Sequence, residues 1–447
     1  MDIYLKNSMT GKREVFRPNN PDQVGVYFCG PTVYDNLHIG NLRALLTADI
    51  LVRTLRTKYN VLFVRNITDV DDKIIARANE AGISMETLTE QTIKQFHQDV
   101  EEMHLLHPDI EPRATNHIED MVRAIAVLER RGHTYMANGS VMFDVSSYQD
   151  YGLIARRKTD AGENHRAIIS DGKRNPEDFV LWKHTSDSPS WPSPWGFGRP
   201  GWHIECSVMS QLSLGENFDI HGGGHDLIFP HHENENAQSM CMCDHHTKQN
   251  HKTMANYWIH NGMLTIENVK MSKSLRNFIT IRELLNIHSP DAIRFFMLST
   301  HYGQNLKFSL ERLRQTERVV QKIWSISENA EPLDENSVLE MLYKDLNTPG
   351  VIAFIHEQIK RHDDGDLSAA GKIRYAGKIL GLFGRGGNIK PVTEETISQK
   401  DIEDLISLRN EHKKNKQWEK ADKIRETLKE AGIQINDVKD GTTWSRY

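Results

Sequence analysis

The sequence is poor in cysteine. Its 447 residues include only Cys29, Cys206, Cys241 and Cys243, which are widely scattered. Small secreted domains that depend on disulfides carry a much higher density of paired cysteines. The scarcity excludes a disulfide framework and favours a protein that works in a reducing compartment.

Long apolar runs are also missing. No segment approaches the roughly 18 consecutive apolar residues that a membrane-spanning helix needs. The first six residues, MDIYLK, lack the apolar block of a signal peptide. We therefore expect a cytoplasmic protein that does not associate with a membrane.

The chain has no excess of positive charge. Lys and Arg total 55 against 61 Asp and Glu, which gives a formal net charge of −6. This balance argues against a protein that coats nucleic acid by bulk charge, although local basic patches can still bind a polyanion. Hydrophobic residues make up 38% of the chain, which is enough to bury a core.

The first 82 residues alternate between strand and helix patterns. Residues 24–28 and 60–67 are rich in β-formers, whereas residues 42–52 and 71–81 have helical apolar spacing, with Gly82 as a helix stop. Such alternation predicts a parallel sheet that binds ligands beyond the carboxyl ends of its strands.

The predicted secondary-structure pattern changes twice further along the chain. Residues 115–200 contain a helix over 118–130, short strands and a loop rich in Pro, Ser and Trp, which indicates an insertion between two halves of one fold. Beyond about residue 305 the pattern is helical. We predict an α/β fold with a Rossmann-like parallel-sheet core that is split by an inserted domain, followed by a helical bundle and a small mixed C-terminal unit.

One candidate nucleotide signature is His38-Ile39-Gly40-Asn41, between the first strand and the first helix. A helix start offers unpaired N–H groups and a positive dipole end, which suit phosphate. Gly40 permits close approach of the backbone, and His38 can donate to a phosphate oxygen. A capped helix with a solvated histidine explains these residues equally well.

A second candidate is Lys270-Met271-Ser272-Lys273-Ser274, far downstream. Two lysines three residues apart can wrap a triphosphate and neutralise the charge that develops on its leaving group. A solvated basic loop is the usual alternative. The His38 segment lies where a split nucleotide site requires it, and this favours the functional interpretation.

A third constellation consists of Cys29, Cys206, His231 and Glu235. His231 and Glu235 are four residues apart and would face the same way on a helix. Two sulfur donors, one nitrogen and one oxygen make a reasonable tetrahedral zinc set. A buried thiol with unrelated polar loops is an even alternative on chemistry alone, and the donors of residues 241–246 (CMCDHH) form a rival cluster.

Five further segments carry a family resemblance. They are residues 28–35 (FCGPTVYD), 65–73 (RNITDVDDK), 201–207 (GWHIECS), 221–224 (HGGG) and 229–235 (FPHHENE). Together with the two nucleotide signatures, they make nearly the whole sequence resemble the cysteinyl-tRNA synthetases, a family of class I aminoacyl-tRNA synthetases.

The resemblance implies an enzyme that uses ATP to convert L-cysteine to cysteinyl adenylate and then transfers it to tRNA(Cys). It implies one Zn²⁺ per chain on the four donors of the third constellation, and Mg²⁺ that arrives with ATP. The implied catalytic residues are His38, Asn41, Lys270 and Lys273, with Gly40 also at ATP. The residues expected to contact cysteine are Gly30, Thr68, Trp202, His221 and Asp226. We also expect a monomer.

Zinc would have a physical purpose in such an enzyme. Cysteine and serine differ by one atom, and a pocket that tests one small feature gains only about 1–3 kcal/mol of discrimination. A zinc ion deprotonates a coordinating thiol and favours thiolate over hydroxyl. We hypothesise that the metal selects the substrate thiolate and takes no part in bond making.

The resemblance also suggests domain divisions. They are residues 1–114 and 201–262 for the core, 115–200 for the inserted domain, 263–305 for a stem-contact region with the lysine loop, 306–400 for a helical tRNA-binding domain, and 401–447 for anticodon recognition. The clearest basic cluster in the last unit comprises Lys413, Lys414, Lys416, Lys420 and Lys423, beside Trp418. A solvated charged helix is the alternative interpretation of that cluster.

Two residues depart from the family pattern. Asn41 stands where a second histidine is typical, and Arg276 where glycine is usual. We expect activity to persist, because asparagine can still donate to phosphate, and we expect a stiffer lysine loop. Two other functions stay open: a ligase that transfers cysteine to an amino sugar, and a zinc hydrolase built on His231-His232-Glu233.

Overall fold

The computed structural model describes residues 1–157, 172–243, 252–266, 269–270, 279–384, 399–414, 417–430, 433–438 and 441–446. They belong to two compact units, Met1–Gly387 and Asn388–Tyr447. The strands are β1 Tyr4–Asn7, β2 Lys12–Val15, β3 Val24–Phe28, β4 Val61–Arg65, β5 Thr134–Ala137, β6 Ser140–Phe143, β7 Phe179–His184, β8 Gly198–Pro200, β9 Phe218–Gly224, β10 Ala255–Asn261, β11 Leu264–Ile266, β12 Val269–Lys270, β13 Leu306–Phe308, β14 Ile433–Val438 and β15 Gly441–Arg446. The helices are α1 Ile39–Leu55, α2 Asp72–Ala81, α3 Met85–Glu102, α4 Ile118–Arg130, α5 Trp202–Leu214, α6 Glu233–Met242, α7 Ile281–Ile287, α8 Pro290–Leu298, α9 Leu310–Ser327, α10 Asn336–Tyr343, α11 Thr348–Asp363, α12 Ser368–Ile379, α13 Gln399–Lys414 and α14 Trp418–Glu430.

The central sheet has the strand order β10-β9-β3-β4, and all its neighbouring strands are parallel. This confirms the predicted α/β core. Helix α1 links β3 to β4, and the chain later returns on the other side of β3 as β9. Because the strand order reverses between β3 and β9, a crevice opens at their carboxyl ends. Cys29 and the glycine-rich end of β9 lie at this edge.

The elements between the two halves of the core form a separate layer. Strands β5, β6, β7 and β8 make an antiparallel sheet in that order. Helix α4 has the bounds predicted for it, and Met121, Ile125 and Leu128 pack in one cluster with Phe143 and Trp182. The same cluster includes Ile204 of α5 and Ala237 of α6, so the inserted elements pack directly on the second half of the core.

The chain beyond β10 is mainly helical, as predicted. Strands β12, β11 and β13 form a small sheet, and helices α7 to α12 follow. On α9 the apolar residues Leu313 and Val320 are buried, whereas Leu310, the first residue of the helix, is 43% exposed. None of the described helices combines the length and the apolar character that crossing a membrane requires.

The second unit contains α13, α14 and the antiparallel pair β14–β15. Its core includes Ile402, Leu428 and Ile433, while Trp418 is largely exposed. In the predicted basic cluster, Lys413 pairs with Asp437 at 2.8 Å, so its charge is partly neutralised. Lys416 and the side chain of Lys423 fall outside the part of the chain that is described.

Candidate metal centre and nucleotide cleft

The first nucleotide signature begins helix α1. His38 is the N-cap, and its Nδ1 accepts from the Asn41 backbone N–H at 3.2 Å. The Asn41 side-chain oxygen accepts in return from the His38 backbone N–H at 3.2 Å. The two residues form a reciprocal capping box. Asparagine at position 41 therefore stabilises the helix start at the place where a second histidine is typical.

A cleft of about 340 Å³ lies at the carboxyl edge of the central sheet. His38, Gly40 and Asn41 line it together with Cys29 and Trp202. Its volume is in the range of small-molecule sites. The first signature and one predicted metal ligand thus share a single cavity.

The second signature is described only where it begins. The backbone of Lys270 pairs with Thr265 in β12–β11, whereas residues 271–278, with Lys273 and Arg276, lie outside the described residues. The chain that follows returns to the start of α1, where the Ile39 N–H donates to the Ile279 carbonyl at 3.1 Å. The flank of the lysine segment therefore adjoins His38, as a split nucleotide site requires.

The four predicted metal ligands converge. The donor atoms of Cys29, Cys206, His231 and Glu235 all lie within 4.8 Å of one another. Cys29 Sγ is 3.9 Å from Cys206 Sγ, and His231 Nε2 is 2.8 Å from Glu235 Oε1. Glu235 belongs to α6, but His231 lies in the kinked turn Ile228–His232 before it rather than on a regular helix. Their side chains nevertheless meet.

A second, overlapping donor set shares Cys29 and Glu235 and adds His221 and His232. His221 Nε2 is 2.7 Å from Glu235 Oε2, and His232 Nε2 is 3.4 Å from Cys29 Sγ. The other ring nitrogen of His232 is 2.7 Å from His260 Nε2. These histidines are buried behind the first donor set, where they orient its carboxylate and thiol.

Sequence reasoning assigned no role to His260 and considered His232 only for a hydrolase. His260 lies near the end of β10, at the edge where a parallel sheet binds ligands. The sequence could have indicated a role for His260 through this position at the end of a strand. The position points to the site only once the strand order shows that β10 belongs to the same parallel sheet as β3 and β9.

The cluster is electrostatically prepared for a cation. The hydrogen bond from Cys29 lowers the pKa of Cys206 to about 6, while burial raises the pKa of Cys29 well above its usual range. Burial opposes charge on Glu235, but the imidazoles of His231 and His221 hold the pKa of that carboxyl well below its usual value. A bound metal would take the place of the protons on these ligands.

Gly30 and Trp202, which we predict to contact cysteine, flank the cluster in the cleft. The Gly30 N–H donates to Asn66 Oδ1 at 2.9 Å, and a Cβ at position 30 would lie only 1.6 Å from the Asn66 carbonyl oxygen. Only glycine fits there. The ring of Trp202 stacks on His231 with centroids 4.0 Å apart.

The other three residues predicted to contact cysteine differ in how deeply they are buried. Thr68 is 2% exposed and donates to Glu205 Oε2 at 3.1 Å. Asp226 is exposed at the rim of the cleft. His221 is fully buried behind Glu235 and stacks on Trp258, so any effect of His221 on a substrate would pass through that carboxylate.

The geometry disfavours the hydrolase alternative. The carboxylate of Glu233 accepts from the backbone N–H groups of Gly152 and Ala155, both at 2.8 Å. It is therefore held by another segment of the chain. In the rival metal cluster, Cys241 is buried in an apolar core, and burial raises the pKa of its thiol to about 12; residues 244–246 lie outside the described residues.

Solved structures share this fold. A crystal structure described as a putative arginyl-tRNA synthetase from Campylobacter jejuni has a TM-score of 0.54 at 13% identity, and the match covers 83% of this chain and 95% of that one. Mycobacterium tuberculosis methionyl-tRNA synthetase in complex with methionyl-adenylate also gives 0.54, at 15% identity, with 87% and 84% covered. The family described as the tRNA synthetases class I (C) catalytic domain matches residues 15–318. The family match therefore defines a class I aminoacyl-tRNA synthetase, and the shared fold agrees with it.

Full-length relatives identify the family more closely. The cysteine–tRNA ligase of Gluconobacter oxydans is 48% identical over 455 residues, which cover 99% of this chain and 98% of that protein. The enzyme of the same name from Paramagnetospirillum magneticum is 43% identical over 478 residues, with both chains fully covered. The chain belongs to the cysteine–tRNA ligase family.

Proposed function

We propose that this chain activates L-cysteine with ATP and transfers it to tRNA(Cys). The observation that carries this proposal is the shared cleft: Cys29, at the edge of a sulfur-containing donor cluster, lines the same cavity as His38 and Gly40. A site that suits a thiol therefore adjoins a site that suits a nucleoside triphosphate, as adenylation of cysteine requires.

The donor cluster fits zinc. Two thiols, one imidazole and one carboxylate are all good ligands for this ion. We assign Cys29, Cys206, His231 and Glu235 as the holders, because His221 and His232 already bind ligand atoms of that set from behind. Bound zinc would supply a soft Lewis acid that favours a thiolate over a hydroxyl, and so would separate cysteine from serine.

The residues around the cluster would position the amino acid. Trp202 covers one side of His231, and Gly30 brings the backbone close to the cleft. Asp226 is proposed to orient the ammonium group and Thr68 the carboxylate group, with His221 acting through Glu235. Held in this way, the substrate carboxylate can attack the α-phosphate of ATP and release pyrophosphate.

The nucleotide is proposed to bind at the start of α1. His38 and Gly40 line the cleft at the start of the helix, where the helix dipole favours phosphate. Lys270 and Lys273 are proposed to neutralise charge on the leaving pyrophosphate, together with Mg²⁺ that arrives on ATP. In the second step a ribose hydroxyl at the tRNA 3′ end attacks the adenylate carbonyl, and the C-terminal unit is proposed to read the anticodon.

The test is ATP–pyrophosphate exchange with each of the twenty amino acids, with and without a zinc chelator. We expect exchange with cysteine only, loss of exchange after chelation, and recovery when zinc but not magnesium is restored. Charging of tRNA(Cys) in preference to other tRNAs is the second readout. Exchange that is equal with serine, or that survives complete removal of the metal, would refute the proposed zinc role.

A further inference from the structure

Arg43 is a buried arginine in the nucleotide-binding helix. It lies in the second turn of α1, two residues beyond the His38–Asn41 signature, and is 3% exposed. Buried cations are usually paired with a carboxylate. Among the described residues no carboxylate pairs with Arg43: its only resolved pKa influence is burial, which lowers the pKa to about 10 and so leaves it charged at neutral pH.

Its partners are backbone carbonyls. Nε donates to Gly262 at 3.3 Å, Nη1 donates to Met297 at 3.3 Å, and Nη2 donates to Gln304 at 2.7 Å. Nη2 also reaches the carbonyls of His301 and Tyr302. One guanidinium therefore joins α1 to three separate segments: the end of β10, the end of α8 and the loop before β13.

These segments also contact one another closely. The Gly262 N–H donates to the Tyr302 carbonyl at 2.8 Å, and a Cβ at position 262 would lie 2.4 Å from the Gln304 carbonyl oxygen. The contact is thus backbone against backbone, and only glycine permits it. Arg43 donates to carbonyls on both sides of this contact and fixes their separation.

The segment that Arg43 holds is a wall of the nucleotide cleft. Gly262 and Met263 line the same cleft as His38 and Asn41. From there the chain continues through β11 into β12, where the lysine signature begins. Arg43 therefore connects the helix that carries the first signature to the strands that lead to the second.

We infer that Arg43 is a positioning residue for ATP, because its hydrogen bonds fix the Gly262–Met263 wall against helix α1. This inference rests on the proposed function. Geometry rather than charge alone carries the role. In Arg43 three different nitrogens each donate to a different segment, whereas all the donors of a lysine leave a single nitrogen and cannot span the same three carbonyls. Cysteine is proposed to bind beside Cys29 and Trp202, neither of which Arg43 contacts, so its binding should be little affected.

The experiment is cysteine-dependent ATP–pyrophosphate exchange by Arg43→Lys, with KM measured separately for ATP and for cysteine. We expect the KM for ATP to rise at least about tenfold, the effect of losing one hydrogen bond from a charged donor. The KM for cysteine should stay within about twofold of wild type. A role confined to fold stability would not raise one KM selectively.

Arg294→Lys is the matched control. Arg294 is also completely buried and also donates to backbone carbonyls, those of Leu380, Met103 and His104, but it pairs with Asp49 and does not line the cleft. We expect this variant to melt at a lower temperature and to keep the wild-type KM for ATP. An equal rise of the KM for ATP in both variants would overturn the inference.

Gly262→Ala provides a second test that decides the matter if Arg43→Lys does not fold. The added methyl displaces the Gln304 carbonyl from the opposite side of the same contact, so the same selective rise in the KM for ATP is expected. A folded Arg43→Lys or Gly262→Ala protein with an unchanged KM for ATP, or with equal rises for ATP and cysteine, contradicts the role of Arg43. Absence of exchange by the wild-type protein would instead contradict the proposed function.

Discussion

Two neighbouring glutamates in α6 allow the metal assignment to be tested against a matched control. Glu235 and Glu233 are both completely buried. Glu235 faces the cluster, with His221 and His231 at 2.7 and 2.8 Å, whereas Glu233 accepts from the backbone of Gly152 and Ala155. Replacing each by glutamine changes charge at nearly constant shape, so the two variants differ mainly in what the carboxylate contacts.

The expected magnitudes follow from those contacts. In Glu235→Gln one carboxylate oxygen becomes an NH₂ group, which cannot accept from an imidazole or bind a cation. We expect zinc affinity to fall by more than the roughly 10- to 100-fold that loss of an outer partner costs. In Glu233→Gln at least one backbone N–H group loses its acceptor, which should cost about 1–3 kcal/mol of stability and leave zinc affinity unchanged.

The assay compares the two variants after equilibration with buffered zinc. Bound metal per chain gives the affinity, thermal unfolding gives the stability, and pyrophosphate exchange gives the preference for cysteine over serine. We expect Glu235→Gln to lose zinc and amino-acid preference together, and Glu233→Gln to lose only stability. Equal zinc retention by the two proteins would show that Glu235 is not a ligand.

Two further substitutions test other parts of the chain. Gly30→Ala places a methyl group 1.6 Å from the Asn66 carbonyl oxygen, so we expect a loss of about 1–3 kcal/mol in thermal unfolding and a higher KM for cysteine; wild-type values for both would contradict the proposed contact. In the C-terminal unit, the hydrogen bonds from Arg409 and then Lys413 hold the pKa of Asp437 below its usual range, so its stabilising effect is present above about pH 4 and is lost as the pH falls further. Because the Arg409–Asp437 pair is partly exposed, Asp437→Asn should lower the free energy of unfolding by only about 0.5–1 kcal/mol at neutral pH. The substitution should also make amide exchange of residues 433–438 in the full chain less sensitive to acid. An unaltered acid response would show that another group controls it.

Local patterns predicted the elements of the fold well. Helix α4 has the predicted bounds, and Gly82 ends α2 in the left-handed conformation that favours glycine. These features depend on residues close in sequence. The same holds for the start of α1, although the reciprocal cap between His38 and Asn41 depends on side-chain geometry that spacing alone does not provide.

Long-range convergence was harder to predict. Cys29 and Cys206 are 177 residues apart, and their contact depends on the packing of α5, which carries Cys206, against β3. The chemistry of the residues alone did not decide between the four-donor metal site and its alternatives. The resemblance to the family favoured the four donors. The role of His232 behind Cys29 was missed, because a pair of adjacent histidines does not reveal which ring faces inward. Arg43 gave no signal either, since its partners are backbone carbonyls that any residue could supply.

The position of the donor set has a consequence for how substrate selection and catalysis are coupled. Cys29 comes from the first half of the core, whereas Cys206, His231 and Glu235 come from the second half, beyond the insertion. The crevice between β3 and β9 is where these halves meet and where the helix that carries the nucleotide signature begins. Zinc bound there would link the two halves at the point where the substrate carboxylate must meet ATP. A displacement of one half that misaligns the reacting groups would therefore also disturb the metal ligands, so that thiol recognition and adenylation depend on the same alignment.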